Sequence, residues 1–226
     1  MSTVLFDIDG TLMNSGGAGS RAMARTALQL LGVQDIPPIP VHGRTDFAIF
    51  SDLFSALKVE FESCYPAWQK HYHQWLEQEL SANAVVRPKQ LPGVQLLLDE
   101  LKSSNWHSAI ITGNSKHAAK LKLQAVGIEK YFVSGGYGDW SECRNQLARE
   151  AVEVCKTCIP DFDVAGSIMI GDTVHDVQCA LSVNMFVIGV TTGGSSREEL
   201  QASGASMVVD SLAELDVRQL SSLLML

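Results

Sequence analysis

Residues 3–11 read TVLFDIDGT, a short apolar run followed by two carboxylates, Asp7 and Asp9, and by Gly10. A continuous apolar run that stops at a glycine is typical of a strand buried on both faces of a parallel sheet. Residues two apart on a strand point the same way, so Asp7 and Asp9 are expected to project together beyond the strand end. Ligands of open parallel sheets bind at this end. The stretch therefore predicts an α/β fold with a polar site after its first strand.

The second half of the chain alternates strands with amphipathic helices. The strands are predicted at residues 107–111, 131–133, 167–170, 185–190 and 207–209. Such alternation favours a doubly wound, Rossmann-like parallel sheet with helices on both faces.

Residues 15–85 interrupt this alternation, because they contain helical patterns and no convincing strand. The helices are predicted at residues 20–31, 45–57 and 62–80, with Gly32 ending the first and Thr45 capping the second. We therefore predict an α/β catalytic core from residues 1–14 and 86–226, and a helical cap domain from residues 15–85.

Composition excludes several classes of partner. The 226 residues include 17 Lys and Arg against 25 Asp and Glu, a net charge of −8. An acidic surface without a basic cluster repels nucleic acid and anionic lipid, so neither is expected as a partner. No signal-like segment begins the chain, and no apolar run approaches the roughly 20 residues that span a bilayer. A cytoplasmic location is expected.

The five cysteines show no disulfide framework. Cys155 and Cys158 have the spacing of a redox or zinc half-site, but no second pair accompanies them. We expect reduced thiols, as in a cytosolic protein.

Further polar residues follow two other predicted strands. Thr112 comes after residues 107–111, and Asp172 and Asp176 come after residues 167–170. With Asp7 and Asp9 these carboxylates would repel one another unless a cation lay among them, and an oxygen-rich ligand set favours Mg²⁺.

Phosphoryl transfer fits such a centre. A carboxylate can attack phosphorus to form an aspartyl-phosphate, and a second carboxylate can protonate the leaving oxygen and then activate water. Gly10 would allow a close turn, and Thr11 is expected to hold Asp9 by a hydrogen bond.

These motifs resemble those of the haloacid-dehalogenase-like (HAD) hydrolases, closest to the phosphoglycolate-phosphatase-like branch. The resemblance rests on residues 7–11, Thr112, residues 171–176 and the late loop 191–195, and it extends over nearly the whole chain. It implies that Asp7 is the nucleophile and a magnesium ligand, and that Asp9 is the acid/base with its backbone carbonyl on the metal. Asp172 and Asp176 would be further ligands. Contacts to phosphate and substrate are expected from Thr11, Thr112, Gly113 and Asn114.

One motif departs from the family pattern, which usually places a Lys, often followed by Pro, in its third motif. Arg144, at the start of a helix predicted at residues 143–155, is the expected replacement, since a guanidinium can bridge nucleophile and phosphate with a different geometry. A surface arginine is the alternative. Lys130 and Lys156 fit the position less well.

Two features of the helical insert are also open to interpretation. Arg44, in the connection Gly43-Arg44-Thr45-Asp46, could recognise an anionic part of the substrate or could face solvent. The aromatic and histidine residues of the third helix favour core packing over a ligand cage. They are Trp68, His71, Tyr72, His73 and Trp75.

The function expected from this resemblance is hydrolysis of a small phosphorylated metabolite, with phosphoglycolate favoured, by a monomer or homodimer. Sugar-phosphate and nucleotide phosphatases and a phosphomutase would share the same aspartates. A dehalogenase is disfavoured because halide displacement needs no Asp9, and a phosphonate hydrolase would need a cap lysine such as Lys58 or Lys70. The non-enzymatic alternative is a regulatory or scaffold protein that retains a magnesium and phosphate site.

Overall fold

The central sheet of the computed structural model is parallel, and the structure describes residues 2–81, 86–141 and 143–225. The strands are β1 (Thr3–Phe6), β2 (Met13–Asn14), β3 (Lys89–Gln90), β4 (His107–Thr112), β5 (Phe132–Tyr137), β6 (Ser167–Gly171), β7 (Phe186–Val190) and β8 (Met207–Val209). Six of them form the sheet in the order β5-β4-β1-β6-β7-β8. The Rossmann-like fold class predicted from the sequence is confirmed.

Helices connect these strands. They are α1 (Ala18–Leu31), α2 (Asp46–Leu57), α3 (Phe61–Glu79), α4 (Val94–Ser103), α5 (Lys116–Ala125), α6 (Arg144–Cys158), α7 (Val174–Leu181), α8 (Arg197–Ala202) and α9 (Val217–Leu223). Within the described part of the chain, no helix has the length and apolar character needed to cross a membrane.

The position of β1 determines where a ligand can bind. Phe6 pairs in register with Ile110 of β4 on one side and with Ile170 of β6 on the other. The chain builds β4 and β5 on one side of β1 and then crosses to build β6, β7 and β8 on the other. This reversal creates the crevice at which open α/β sheets bind ligands.

The insert after β1 is helical, as predicted. Gly32 ends α1 in the left-handed conformation, and the Thr45 side chain caps α2 by accepting a hydrogen bond from the Ala48 amide. The short antiparallel strands β2 and β3 pair Met13 with Gln90 at the two ends of the insert. The division into core and cap domains stays a prediction, and its boundary at 85/86 borders residues 82–85, which lie outside the described residues.

Aromatic residues of the insert pack with one another. Trp68 is fully buried, and its ring lies 5.0 Å from that of Phe54 and 5.6 Å from that of Phe50. Trp75 lies beneath the Arg25 guanidinium at 4.0 Å. For Trp68 and Trp75 these contacts agree with core packing, whereas Tyr72 also lines the cavity described below.

The prediction for β5 was wrong in its bounds. Tyr131 lies in a short 3-10 helix, and the strand continues through Gly135 and Gly136 to Tyr137. Glycines weaken a strand signal, but here a side chain at Gly136 would collide with Ala151 of α6. All five cysteines are free.

Candidate active site

A cavity of about 440 Å³ lies at the carboxyl ends of β1, β4 and β6, between these strand ends and the helical insert. The structure brings most of the predicted site residues to its wall. These are Asp7, Asp9, Arg44, Thr112, Gly113, Asn114, Arg144 and Asp172. Thr11 and Asp176 are fully buried and do not line the cavity.

Asp7, Asp172 and Asp176 form a buried carboxylate triad. Each offers one oxygen, and the three atoms lie within 4.8 Å of one another. Burial and the charge of Asp176 raise the pKa of Asp7 well above its ordinary value, and the same two causes raise the pKa of Asp172 to about 7. The triad therefore carries more negative charge than its surroundings stabilise.

This donor set fits a hard divalent cation. Three buried carboxylates face a single guanidinium, that of Arg144, so negative charge is in excess. Mg²⁺ prefers oxygen ligands and is usually held by a few carboxylates together with water and substrate oxygens. The residues present could therefore hold Mg²⁺.

The loops around the triad contact Asp172 closely through hydrogen bonds and a glycine. The Gly194 amide donates to Asp172 Oδ2 at 2.6 Å, and the Thr11 hydroxyl donates to Asp172 Oδ1 at 3.1 Å. Gly10 adopts a φ of +83°, and a Cβ there would lie 2.5 Å from Asp172 Oδ2. The prediction that Thr11 holds Asp9 is wrong, because the turn at Gly10 directs Thr11 toward β6.

Asp176 serves the helix and the triad together. It is the third residue of α7, where it accepts from the Thr173 amide at 2.9 Å in a capping box. Its other oxygen, Oδ1, accepts from Arg144 at 2.5 Å. The helix cap and the contact with Arg144 thus use different oxygens of one side chain.

Arg144, the residue expected to replace the missing lysine, lies beside the triad. It begins α6, and its side chain is only 10% exposed. Nη1 donates to Asp176 Oδ1, and Nη2 donates to Asp7 Oδ1 at 3.1 Å. One planar guanidinium therefore spans two members of the triad. Lys156, by contrast, pairs with Glu153 on the surface.

The residues after β4 form the opposite wall. Asn114 donates through Nδ2 to Thr112 Oγ1 at 2.8 Å and to Asp9 Oδ2 at 2.9 Å. The Gly113 carbonyl accepts from the Asp46 amide at 2.7 Å, and a side chain at Gly113 would collide with the Arg44 carbonyl. The start of α2 is thereby hydrogen-bonded directly to the loop that follows Thr112.

Sequence reasoning missed Lys122. Its ammonium, on a side chain only 7% exposed, lies 2.5 Å from Asp9 Oδ2 and 2.5 Å from Asn114 Oδ1. Although burial opposes ionisation, this ammonium holds the pKa of Asp9 below its ordinary value. A signal existed, because Lys122 shares the buried face of α5 with Ala118 and Ala119, where a charge requires a partner.

Arg44 does line the cavity, but its guanidinium is already paired. Nη1 donates to Asp52, the seventh residue of α2. His175, at the start of α7, is exposed. A Cβ on Gly43, which has a φ of +68°, would collide with the His175 ring.

Comparison with known proteins agrees with this geometry. The chain is 28% identical to the protein named "Probable phosphatase IndB" of Dickeya dadantii, over 94% of this chain and 90% of that one. It is 27% identical to the phosphoglycolate phosphatase of Neisseria meningitidis, over 95% and 92% of the two chains. The fold matches that of CbbY from Rhodobacter sphaeroides, solved with phosphate, at a TM-score of 0.74, 19% identity and coverage of 98% and 100%.

The family is shown by a match to the model for haloacid dehalogenase-like hydrolases, which covers residues 4–190. That range includes the triad, Asp9, Lys122 and Arg144. The chain belongs to the haloacid dehalogenase-like hydrolases.

Proposed function

We propose that this protein is a magnesium-dependent phosphatase that hydrolyses a small phosphomonoester through an aspartyl-phosphate on Asp7. The observation that carries the proposal is the buried triad of Asp7, Asp172 and Asp176 beside a second, separately held carboxylate, Asp9. Relatives with phosphatase names that align over most of their length support the same reaction class.

Each residue has a task in this mechanism. A carboxylate oxygen of Asp7 attacks phosphorus while the bond from phosphorus to the ester oxygen breaks. Asp9 gives its proton to the departing oxygen, so the alcohol leaves neutral. Asp9 then takes a proton from water as that water attacks the same phosphorus, which frees Asp7 and releases inorganic phosphate.

The other side chains stabilise charge during these steps. Arg144 holds Asp7 and faces the phosphoryl group, while Thr112 and the amides near Gly113 and Asn114 donate to its oxygens. Magnesium held by Asp7, Asp172 and Asp176 would supply the positive charge that the phosphoryl oxygens need. The Asp9 backbone carbonyl is proposed as a further ligand.

The substrate is left open by these motifs. Phosphoglycolate is the substrate that the family resemblance favours, and several relatives carry the corresponding name. Sugar phosphates and nucleotides are alternatives, and a phosphomutase would use the same aspartates. The cytoplasmic location and the oligomeric state, monomer or homodimer, also stay predictions.

A panel of phosphorylated metabolites, assayed for phosphate release with Mg²⁺ and with EDTA, tests the proposal. Phosphate release is expected with Mg²⁺ and not with EDTA, and it should disappear in the Asp7→Asn variant. Activity that survives EDTA or that substitution would refute the mechanism. Binding of Mg²⁺ without turnover of any ester would favour the regulatory or scaffold alternative.

A further inference from the structure

Many of the side chains that line the cavity beyond the triad are uncharged or apolar. Met23, Ile49 and Phe50 form an apolar wall, and Asn14, Ser15 and Ser20 contribute polar groups without charge. Tyr72 also lines this part, and its hydroxyl has no hydrogen-bond partner among residues 2–81, 86–141 and 143–225. Such walls can pair with a hydroxyl group but give little stabilisation to a carboxylate.

Every lysine and arginine that lines the cavity is already paired with a carboxylate. Arg144 binds Asp7 and Asp176, and Lys122 binds Asp9 at 2.5 Å. Arg44 pairs with Asp52. A carboxylate on the substrate would therefore have to break one of these pairs to reach a lysine or arginine, and His42, the other basic side chain among the described lining residues, is exposed to solvent.

Asp46 places a further carboxylate on the cavity wall, and burial raises its pKa from the ordinary value. This buried residue begins α2, and its Oδ2 accepts from the Ser115 amide at 2.8 Å. Burial raises the pKa of Tyr72 well above its ordinary value, and the charges of Asp46 and Asp9 raise it further, as expected of groups that line one cavity. Two carboxylates, Asp9 and Asp46, thus face one ammonium, that of Lys122.

Since Asp9 protonates the leaving oxygen in the proposed mechanism, the rest of the alcohol would extend into the cavity that Asp46 and Tyr72 also line. On the basis of the proposed phosphatase function, we infer that the leaving alcohol carries no negative charge. Esters of neutral, hydroxyl-bearing alcohols are the substrate class, and esters with a carboxylate near the phosphate, including phosphoglycolate, are poor substrates.

Two matched pairs of esters test this inference. 2-Hydroxyethyl phosphate is compared with 2-phosphoglycolate, and glycerol 3-phosphate with 3-phosphoglycerate, since each pair exchanges a CH₂OH group for a carboxylate. We expect kcat/KM to be at least tenfold higher for the neutral member of each pair. Equal values, or a preference for the carboxylated ester, would overturn the inference.

Two substitutions locate the cause. Asp46→Asn keeps an acceptor for the Ser115 amide and removes the charge, so it should lower the neutral-to-carboxylate ratio at least threefold. Asp52→Asn, on the surface, should lower the ratio by releasing Arg44. Glu153→Gln, an exposed change of the same charge on α6, should leave the ratio unchanged. A ratio that neither substitution moves would contradict the assignment of charge.

A thermal melt of each variant separates a folding defect from a change of substrate preference. If Asp46→Asn does not fold, the ratio measured for Asp52→Asn still tests the assignment of charge. An assay with p-nitrophenyl phosphate distinguishes failure of the phosphatase proposal from failure of the substrate inference. No hydrolysis of this or any other ester would refute the phosphatase function, whereas hydrolysis with a preference for carboxylated esters would refute only the substrate inference.

Discussion

The Lys122 ammonium lies 2.5 Å from Asp9 Oδ2, so a buried cation of α5 holds the carboxylate that follows β1. The Asp9 side chain is 39% exposed, so few neighbouring side chains hold it in position. Asn114 makes one of them, and Lys122 also fixes Asn114 through Oδ1. A lysine that touches neither phosphate nor metal in the proposed mechanism can therefore control where the acid/base stands.

Lys122→Met tests this control through the leaving group. An alkyl phosphate needs a proton on its departing oxygen, whereas p-nitrophenolate leaves without one, so only the alkyl ester depends strongly on Asp9. We expect kcat/KM to fall about 10- to 100-fold for the alkyl ester and much less for p-nitrophenyl phosphate. Lys120→Met, an exposed change on the same helix, is the control. Equal losses for both esters would argue against a positioning role.

Arg144 can be tested by separating its charge from its shape. Arg144→Lys keeps a cation but cannot reach Asp7 and Asp176 with two parallel donors, and Arg144→Ala removes both. We expect kcat/KM to fall about 100-fold or more in the alanine variant, with the lysine variant between. Steady-state kinetics with one ester measures these changes. An unchanged kcat/KM in the alanine variant would show that Arg144 has no role in the reaction.

The triad should lower the stability of the metal-free protein. Burial, together with the charges of Asp176 and Asp172, raises the pKa of Asp7, so Asp7→Asn removes a buried charge and relieves repulsion within the triad. In EDTA this variant should have a higher Tm than the wild type, by about 2–4 °C for each kcal/mol relieved. Adding Mg²⁺ should raise the Tm of the wild type more than that of the variant. A wild-type Tm that does not respond to Mg²⁺ would contradict a metal site here.

Most of the fold could be predicted because local signals and tertiary packing agree along the chain. Gly32 and Thr45 end and begin helices where their conformational preferences require it. The end of β5 was missed because Gly135 and Gly136 have no side chain to mark a strand, and only their packing under Ile110 and Ala151 shows why glycine is there. Whether such a glycine-containing segment forms a strand depends on its pairing with a strand that is distant in sequence.

Some residues of the candidate site could likewise be predicted from the sequence, and others could not. Asp7, Asp172 and Arg144 could be placed from order along the chain, because each follows a strand or begins a helix at one edge of the sheet. The partners of Thr11 and Lys122 could not, since they depend on side-chain direction across 161 and 113 residues of sequence. A lysine on the buried face of α5 indicates that a partner exists without identifying it.

His73 links α3 to the start of α5 and should make stability depend on pH. Its Nε2 lies 3.0 Å from Ser115 Oγ, and its ring lies 4.6 Å from that of His117. Burial, together with the charge of His117, lowers the pKa of His73 from its ordinary 6.5 to about 4.

Between these two values the unfolded chain binds the proton more tightly than the folded protein. The free energy of unfolding should therefore fall as the pH falls from about 6.5 toward 4. After allowance for partial exposure, we expect a loss of about 1 kcal/mol between pH 7 and pH 5 from this residue. Urea unfolding at both pH values measures it. His73→Gln should remove this share of the loss and His117→Gln should reduce it, because His117 contributes to the lowered pKa. An identical pH dependence in all three proteins would show that protonation of His73 has no part in stability.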